Sequence, residues 1–216
     1  GPGIRTTVFL KGCPLDCLWC HNPESKKKTS QLGYLEKNCI GCRRCEKVCP
    51  RKVYEITGEG EQKKHNVYLE RCIQCGKCVE ACPNHALKIY GWNVTVEEIM
   101  HTVCKDIDFY QKSGGGLTIS GGEPMLQFQG LLKLVKKAKE CGMHVCLDTC
   151  GYADMDKYKE IVPYIDLFLF DYKVTGEKEH EKYTGVSNKK ILENLDMLCK
   201  NNHAVILRCP IIPGIN

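Results

Sequence analysis

Apolar residues in this 216-residue chain follow two alternating patterns, short continuous runs and longer stretches with helical spacing. The short runs predict strands at 6–10, 117–120, 144–149, 166–170 and 204–212. The longer stretches predict helices at 95–113, 126–142, 154–162 and 189–201. Strands that are apolar at nearly every position and separated by helices indicate a parallel sheet covered by helices, an α/β fold.

The ends of two predicted helices are also readable. Thr95 and Glu98 form a capping-box pattern at the start of the first, which should run without a break to the glycines at 114–116. Gly142 stands where a helix C-cap belongs, after the stretch that begins at residue 126.

Residues 25–90 interrupt this alternation with an internal repeat. CIGCRRCEKVCPRKVYEI (39–56) aligns with CIQCGKCVEACPNHALKI (72–89) at a period of 33 residues. A segment this short buries little apolar surface and commonly needs metals for stability. We therefore predict that 25–90 is a small inserted domain, while 1–24 and 91–216 form one catalytic domain.

Each repeat has the spacing C-x-x-C-x-x-C-x-x-x-C-P, which is typical of bacterial two-cluster ferredoxins, where the fourth cysteine binds the other cluster. The crossed pattern assigns one 4Fe-4S cluster to Cys39, Cys42, Cys45 and Cys82, and a second to Cys72, Cys75, Cys78 and Cys49. Two zinc sites of four thiolates each are the alternative interpretation.

A third cysteine motif, Cys13, Cys17 and Cys20, follows the first predicted strand with the spacing C-x-x-x-C-x-x-C. Three thiolates bound to a cluster of four irons leave one iron with an open coordination position, where chemistry can occur. The alternatives are a three-thiolate zinc site completed by His21, and a tight turn that happens to contain cysteines.

Composition narrows the class of protein further. The 17 cysteines are clustered at metal-binding spacings, which disulfides would not explain, so an oxygen-avoiding cytoplasmic enzyme is expected. No apolar run approaches the roughly 20 residues of a membrane span. The net charge of +5 lies mainly on lysine-rich helix faces, with one run at Lys26–Lys28. We interpret these faces as solvated; docking to an acidic partner or nucleic acid is the alternative.

The frame GPGIRTTVFLKGCPLDCLWCHNPE, together with SGGEPM, DTCGY and YTGVSN, resembles the activating enzymes of glycyl radical enzymes. These form a branch of the radical S-adenosylmethionine (SAM) enzymes. The resemblance implies an incomplete β/α barrel of six parallel strands. Since the chain stops after its fifth strand and starts at Gly1, it is expected to be truncated at both ends, with weakened SAM affinity.

The resemblance also assigns roles to residues at the strand ends. Gly121 and Gly122 should allow close backbone approach, and Glu123 should offer a carboxylate to the SAM amino group. The full set of implied SAM contacts is Trp19, His21, Gly121, Gly122, Glu123, Asp148, Thr149, Asp171, Tyr172 and Lys173, and the implied catalytic residues are Cys13, Cys17, Cys20 and Lys173.

Within that set, Asp148 and Thr149 are expected near the SAM carboxylate, together with a bound monovalent cation. Asp171 and Lys173 alternate to one face of a strand, so Lys173 can pair with a carboxylate and Asp171 with the cation or a hydroxyl. His180 is expected to be structural, and Cys150 to lie beside the site.

The function that the resemblance implies is reductive cleavage of SAM to a 5'-deoxyadenosyl radical, which takes hydrogen from a glycine of a partner glycyl radical enzyme. Three 4Fe-4S clusters and SAM are the expected cofactors, with flavodoxin or ferredoxin as electron donor. No nucleic acid or membrane partner is expected. The alternatives are a radical SAM enzyme acting on a small molecule or nucleotide, and a multi-cluster electron-transfer protein.

Overall fold

The computed structural model describes residues 1–58 and 64–216. These residues divide into two compact units, one of Gly1–Lys28 with Asn93–Asn216 and one of Thr29–Trp92. The described strands are β1 (Arg5–Leu10), β2 (Gln31–Tyr34), β3 (Tyr54–Thr57), β4 (Lys64–Val67), β5 (Leu87–Tyr90), β6 (Gly116–Gly121), β7 (His144–Thr149), β8 (Leu167–Asp171) and β9 (Val205–Arg208).

The described helices follow the same numbering in chain order. They are α1 (Arg44–Val48), α2 (Lys77–Glu80), α3 (Val96–Val103), α4 (Ile107–Ser113), α5 (Phe128–Glu140), α6 (Met155–Ile161), α7 (Glu177–Thr184) and α8 (Lys189–Lys200). None of them has both the length and the apolar character needed to cross a membrane.

The first unit contains a parallel five-stranded sheet in the order β1-β6-β7-β8-β9, which confirms the α/β fold predicted from the apolar runs. Strand β9 is shorter than predicted and ends at Arg208. Pro210 and Pro213 follow it, and proline cannot donate the backbone hydrogen bond that a longer strand would need.

The helices of this unit agree with the sequence pattern except at one break. Thr95 and Glu98 form the expected capping box at the start of α3. A 3₁₀ turn at Cys104–Asp106 then separates α3 from α4, where one continuous helix was predicted. The tighter turn frees the carbonyl of Val103, which accepts a hydrogen bond from the Tyr110 hydroxyl at 3.0 Å.

Alternate residues of the strands face opposite sides of the sheet, and the two sides differ in chemistry. One side is the core under the helices and includes Leu117, Leu147, Phe168 and Phe170, all fully buried. The other side carries polar residues near the carboxyl ends of the strands. The functional groups of this unit are therefore expected at that edge.

The second unit contains two small antiparallel pairs, β2 with β5 and β3 with β4, and the short helices α1 and α2. Its core is small and consists of Leu32, Val53, Tyr54, Cys78 and Leu87. Further cysteines pack against this core, so thiols make up much of the interior.

Candidate active site

The loop after β1 brings its three cysteines together. Cys17 is buried with Leu15 and Cys150, and Cys13 and Cys20 pack against the same small cluster. Burial raises the pKa of Cys13 to about 11 and raises that of Cys17, so thiolates form here only when a positive group such as iron binds them. The donor set therefore fits an iron-sulfur cluster held by three thiolates.

Backbone hydrogen bonds join this loop to the end of β6. The amide of Glu123 donates to the carbonyl of Gly12 at 2.7 Å, and the amide of Gly122 donates to the carbonyl of Leu10 at 2.9 Å. A Cβ atom on Gly122 would lie 2.3 Å from the Gly12 carbonyl oxygen. Only glycine permits this approach of the two backbone segments.

The C-terminal end of α7 holds the same loop from another direction. The amide of Asp16 donates to the carbonyl of Thr184 at 2.7 Å, and that of Leu18 donates to the carbonyl of Tyr183 at 3.1 Å. These carbonyls belong to the last turn of the helix, where no intrahelical donor is available. The helix ends at Gly185 in the left-handed conformation, with φ of 80°.

His180 lies on α7 and is buried. Its Nδ1 atom is 2.7 Å from the Val186 carbonyl and 2.9 Å from the Thr184 hydroxyl. Both partners lie within six positions of His180, one at the end of α7 and one just after it, a local arrangement typical of a structural histidine.

Glu123 is fully buried, and both of its carboxylate oxygens accept hydrogen bonds from the protein. Oε1 accepts from the Met125 amide at 3.0 Å and the Thr149 hydroxyl at 2.9 Å, and Oε2 accepts from the Cys150 amide at 2.7 Å. Burial raises the pKa of this carboxyl. In this structure Glu123 joins the ends of β6 and β7 and is turned away from solvent. The sequence had instead suggested a carboxylate that is offered directly to the amino group of SAM.

A charged network crosses the carboxyl ends of β7, β8 and β9. Arg208 forms ion pairs with both Asp148 and Asp171, the latter at 2.7 Å. Lys173 pairs with the second oxygen of Asp171 at 2.7 Å, and the Ser120 hydroxyl donates to Asp148 at 2.7 Å. Two carboxylates and two cations therefore share one polar edge.

Burial and pairing act in opposite directions on these groups. Burial raises the pKa of Asp148, although Ser120 and Arg208 oppose the shift. Burial alone would lower the pKa of Lys173, but Asp171 more than offsets it and the pKa is raised. Lys173 therefore carries a positive charge at neutral pH, as pairing with a carboxylate requires.

The remaining predicted contacts are spread over several environments. The side chain of Thr149 faces the side opposite to Asp148, in the buried network with Glu123. Tyr172 contacts Thr175 through its hydroxyl at 3.2 Å. The ring of Trp19 lies 6.2 Å from that of Tyr183, and His21 is exposed.

Arg208 and the end of α7 were not predicted as parts of the site. A sequence signal for Arg208 existed, since it ends the fifth strand, at the sheet edge where Asp148 and Asp171 were expected. No comparable signal marked the contact between α7 and the cysteine loop, because backbone carbonyls make it.

In the second unit, the eight repeat cysteines line two separate cavities in the crossed arrangement. The first cavity is lined by Cys39, Cys42, Cys45 and Cys82, and the second by Cys49, Cys72, Cys75 and Cys78. Each cavity has four thiols, the donor number and type that a 4Fe-4S cluster takes. No group of His, Cys, Asp and Glu side chains among the described residues is arranged around a single metal ion.

Comparison with known protein families supports iron-sulfur binding by this chain. Residues 1–192 match the family model described as a 4Fe-4S single cluster domain. The match supports the binding of an iron-sulfur cluster. Because the description names a single cluster, it does not give the number of clusters that this chain binds.

Three curated relatives align with the whole chain. The trans-4-hydroxy-L-proline dehydratase activating enzyme of Clostridioides difficile is 46% identical, and the chain covers 70% of its length. The (2S)-3-sulfopropanediol dehydratase activating enzyme of Klebsiella oxytoca is 41% identical, with 68% covered. The choline trimethylamine-lyase activating enzyme of Oleidesulfovibrio alaskensis is 40% identical, with 69% covered.

Proposed function

The chain belongs to the radical SAM activating enzymes of glycyl radical enzymes, and from this we propose how its residues carry out the activation. Cys13, Cys17 and Cys20 hold a 4Fe-4S cluster with one open iron. The observation that carries this proposal is that the three thiols gather beside the strand ends that carry the charged network.

A cluster held there by the three cysteines would, when reduced, supply the electron for cleavage of SAM to methionine and a 5'-deoxyadenosyl radical, and that radical would take hydrogen from a glycine of the partner enzyme. The charged network orients SAM for this step. Lys173 pairs with its carboxylate, while Asp148 and Asp171 take the monovalent cation or a hydroxyl. Arg208 holds these two carboxylates in register, beside the place expected for a monovalent cation.

The SAM amino group is held by the backbone at Gly121 and Gly122. The position of these glycines supports this assignment, since Gly121 ends β6 beside Leu10 of β1 and Gly122 packs against Gly12 of the cysteine loop. Glu123 supports the same segment from inside through its three buried hydrogen bonds. Its role is then to fix the loop geometry, with no direct contact to SAM required.

The unit of Thr29–Trp92 binds two further 4Fe-4S clusters, with the crossed cysteine sets that line its two cavities. Flavodoxin or ferredoxin is the proposed electron donor. The two further clusters would either pass its electrons to the open cluster or shape the surface on which the partner docks. The cysteine-rich composition favours the cytoplasm, where thiols stay reduced.

The decisive experiment measures 5'-deoxyadenosine after anaerobic cluster reconstitution with SAM and dithionite. The variant combines Cys13→Ala, Cys17→Ala and Cys20→Ala, and the matched control combines Cys104→Ala, Cys141→Ala and Cys199→Ala, three cysteines outside the motifs. We expect product from wild type and control only, and about four fewer irons per chain in the first variant.

A second measurement tests the partner. Adding a candidate glycyl radical enzyme should produce a glycyl radical signal in electron paramagnetic resonance. SAM cleavage that turns over a small molecule, with no radical on any candidate partner, would contradict the proposal. Equal product from the variant lacking the three motif cysteines would contradict the cluster assignment.

A further inference from the structure

The core of the second unit contains a hydroxyl aimed at a cysteine sulfur. Tyr54 donates its hydroxyl hydrogen bond to Sγ of Cys78 at 3.1 Å. Both side chains are buried, with exposed fractions of 6% for Tyr54 and 8% for Cys78. Because water is excluded from this contact, the hydrogen bond has no competing solvent partner.

This contact departs from the internal repeat. The amide of Val53 donates to Sγ of Cys49 at 3.4 Å, and at the equivalent repeat position the amide of Ala86 donates to Sγ of Cys82 at 3.2 Å. The two halves therefore share their backbone donors. The repeat equivalent of Tyr54 is Leu87, which is also buried but carries no hydroxyl.

Tyr54 also reaches from one repeat into the other. It lies on β3 in the first repeat, while Cys78 lies on α2 in the second and lines the cavity with Cys49, Cys72 and Cys75. The other cavity has two polar neighbours near Cys39, Tyr34 and His65. Nδ1 of His65 lies 3.7 Å from Sγ of Cys39, a longer and therefore weaker contact than that of Tyr54 with Cys78. The tyrosine contact made by Tyr54 is thus the one that crosses from one repeat into the other cavity.

We propose that Tyr54 is a positioning residue that raises the reduction potential of the cluster held by Cys49, Cys72, Cys75 and Cys78. The inference rests on the proposed cluster assignment. A reduced cluster carries one more negative charge than an oxidised one, so a donor on a ligand sulfur stabilises the reduced form more. Removing the hydroxyl should make that one cluster harder to reduce.

The test is the variant Tyr54→Phe, which keeps the buried ring and removes only the hydroxyl. Its control is Tyr68→Phe, because the Tyr68 hydroxyl donates to Glu55 at 2.7 Å. Both are made in the full chain carrying Cys13→Ala, Cys17→Ala and Cys20→Ala, so that only the clusters of the second unit contribute. Dithionite titrations followed by electron paramagnetic resonance measure the two midpoint potentials.

We expect Tyr54→Phe to lower one midpoint potential, and Tyr68→Phe to lower neither. A hydrogen bond of ordinary strength corresponds to a change of roughly three- to tenfold in the reduced-to-oxidised ratio at fixed potential. Tenfold is about 59 mV for a one-electron couple.

Iron and sulfide analysis separates the two ways in which the idea can fail. Two clusters with unchanged potentials in Tyr54→Phe would overturn the role of Tyr54 and leave the cluster assignment intact. The protein that carries only the three cysteine substitutions should bind about eight irons per chain. A much lower iron content would overturn the cluster assignment, and the inference about Tyr54 with it.

Discussion

At the residue scale, the chemistry of the site depends on side chains that hold other side chains in place. Arg208 contributes one guanidinium to two carboxylates that end different strands. Without it, Asp148 and Asp171 would face each other with only Lys173 as counter-charge. Arginine suits this position because its planar group can donate to two partners at once, whereas a lysine ammonium acts as a point charge.

We therefore predict that Arg208→Lys weakens SAM binding by about tenfold, because one carboxylate loses its partner and shifts away. Calorimetric titration of SAM into the anaerobically reconstituted protein measures the effect. Arg71→Lys is the matched control, since Arg71 lies in the other unit and stacks over the ring of Tyr68. Unchanged SAM affinity in Arg208→Lys would show that the bridge is not needed for binding.

At the element scale, α7 is notable because its main contribution to the site comes from its backbone. Its terminal carbonyls accept from the amides of Asp16 and Leu18 and so fix the loop that carries the three cysteines. The position of these carbonyls depends on how the helix ends, and it ends on a glycine in the left-handed conformation.

Gly185→Ala should therefore loosen the cysteine loop. An alanine in the left-handed region costs about 1–2 kcal/mol, and the helix end can relieve this strain by shifting its carbonyls. We expect faster loss of iron from the three-cysteine site when a chelator is added, followed by the decay of SAM cleavage activity.

Gly142→Ala is the control for this experiment. Gly142 follows α5 with φ of 70°, and an added Cβ atom would meet nothing within 4 Å. It carries a similar backbone cost but has no contact with the cysteine loop. If both variants lose iron at the same rate, general destabilisation explains the loss and the role assigned to α7 is wrong.

At the scale of the whole molecule, the two units differ in how many apolar side chains they bury. The first has an extensive apolar core under its helices, including Leu117, Val145, Leu147 and Phe168. The second buries few apolar side chains and fills much of its interior with cysteines. Small domains of this kind commonly take their folding free energy from bound metal.

Removing all iron with a chelator, in the presence of a reductant, should therefore unfold the second unit and leave the sheet of the first intact. Hydrogen exchange measured by mass spectrometry reports on both in one sample. We expect protection to fall in peptides from 29–58 and 64–92, while β6, β7 and β8 stay protected. Equal protection of the second unit with and without iron would contradict this prediction.

The sequence predicted correctly those features that depend on residues close together in the chain, and it missed those that depend on contacts between distant residues. The five strands and the Thr95 cap were predictable because periodicity and capping are local. The break between α3 and α4 was not predictable, since the Tyr110 hydroxyl on α4 also contacts Thr6 on β1, more than 100 positions away, at 2.5 Å. The same limit applies to Glu123, whose partner Thr149 lies 26 positions away.

The sequence by itself determined the cysteine motifs, the repeat and the alternation of strands and helices along the chain, because spacing and periodicity are properties of the chain alone. Only the tertiary structure decided which side chains share an environment. It turned Glu123 inward, placed Arg208 between two aspartates, set the end of α7 against the cysteine loop and directed Tyr54 at Cys78. These are contacts between distant positions, fixed by sheet order and packing, and no local pattern encodes them.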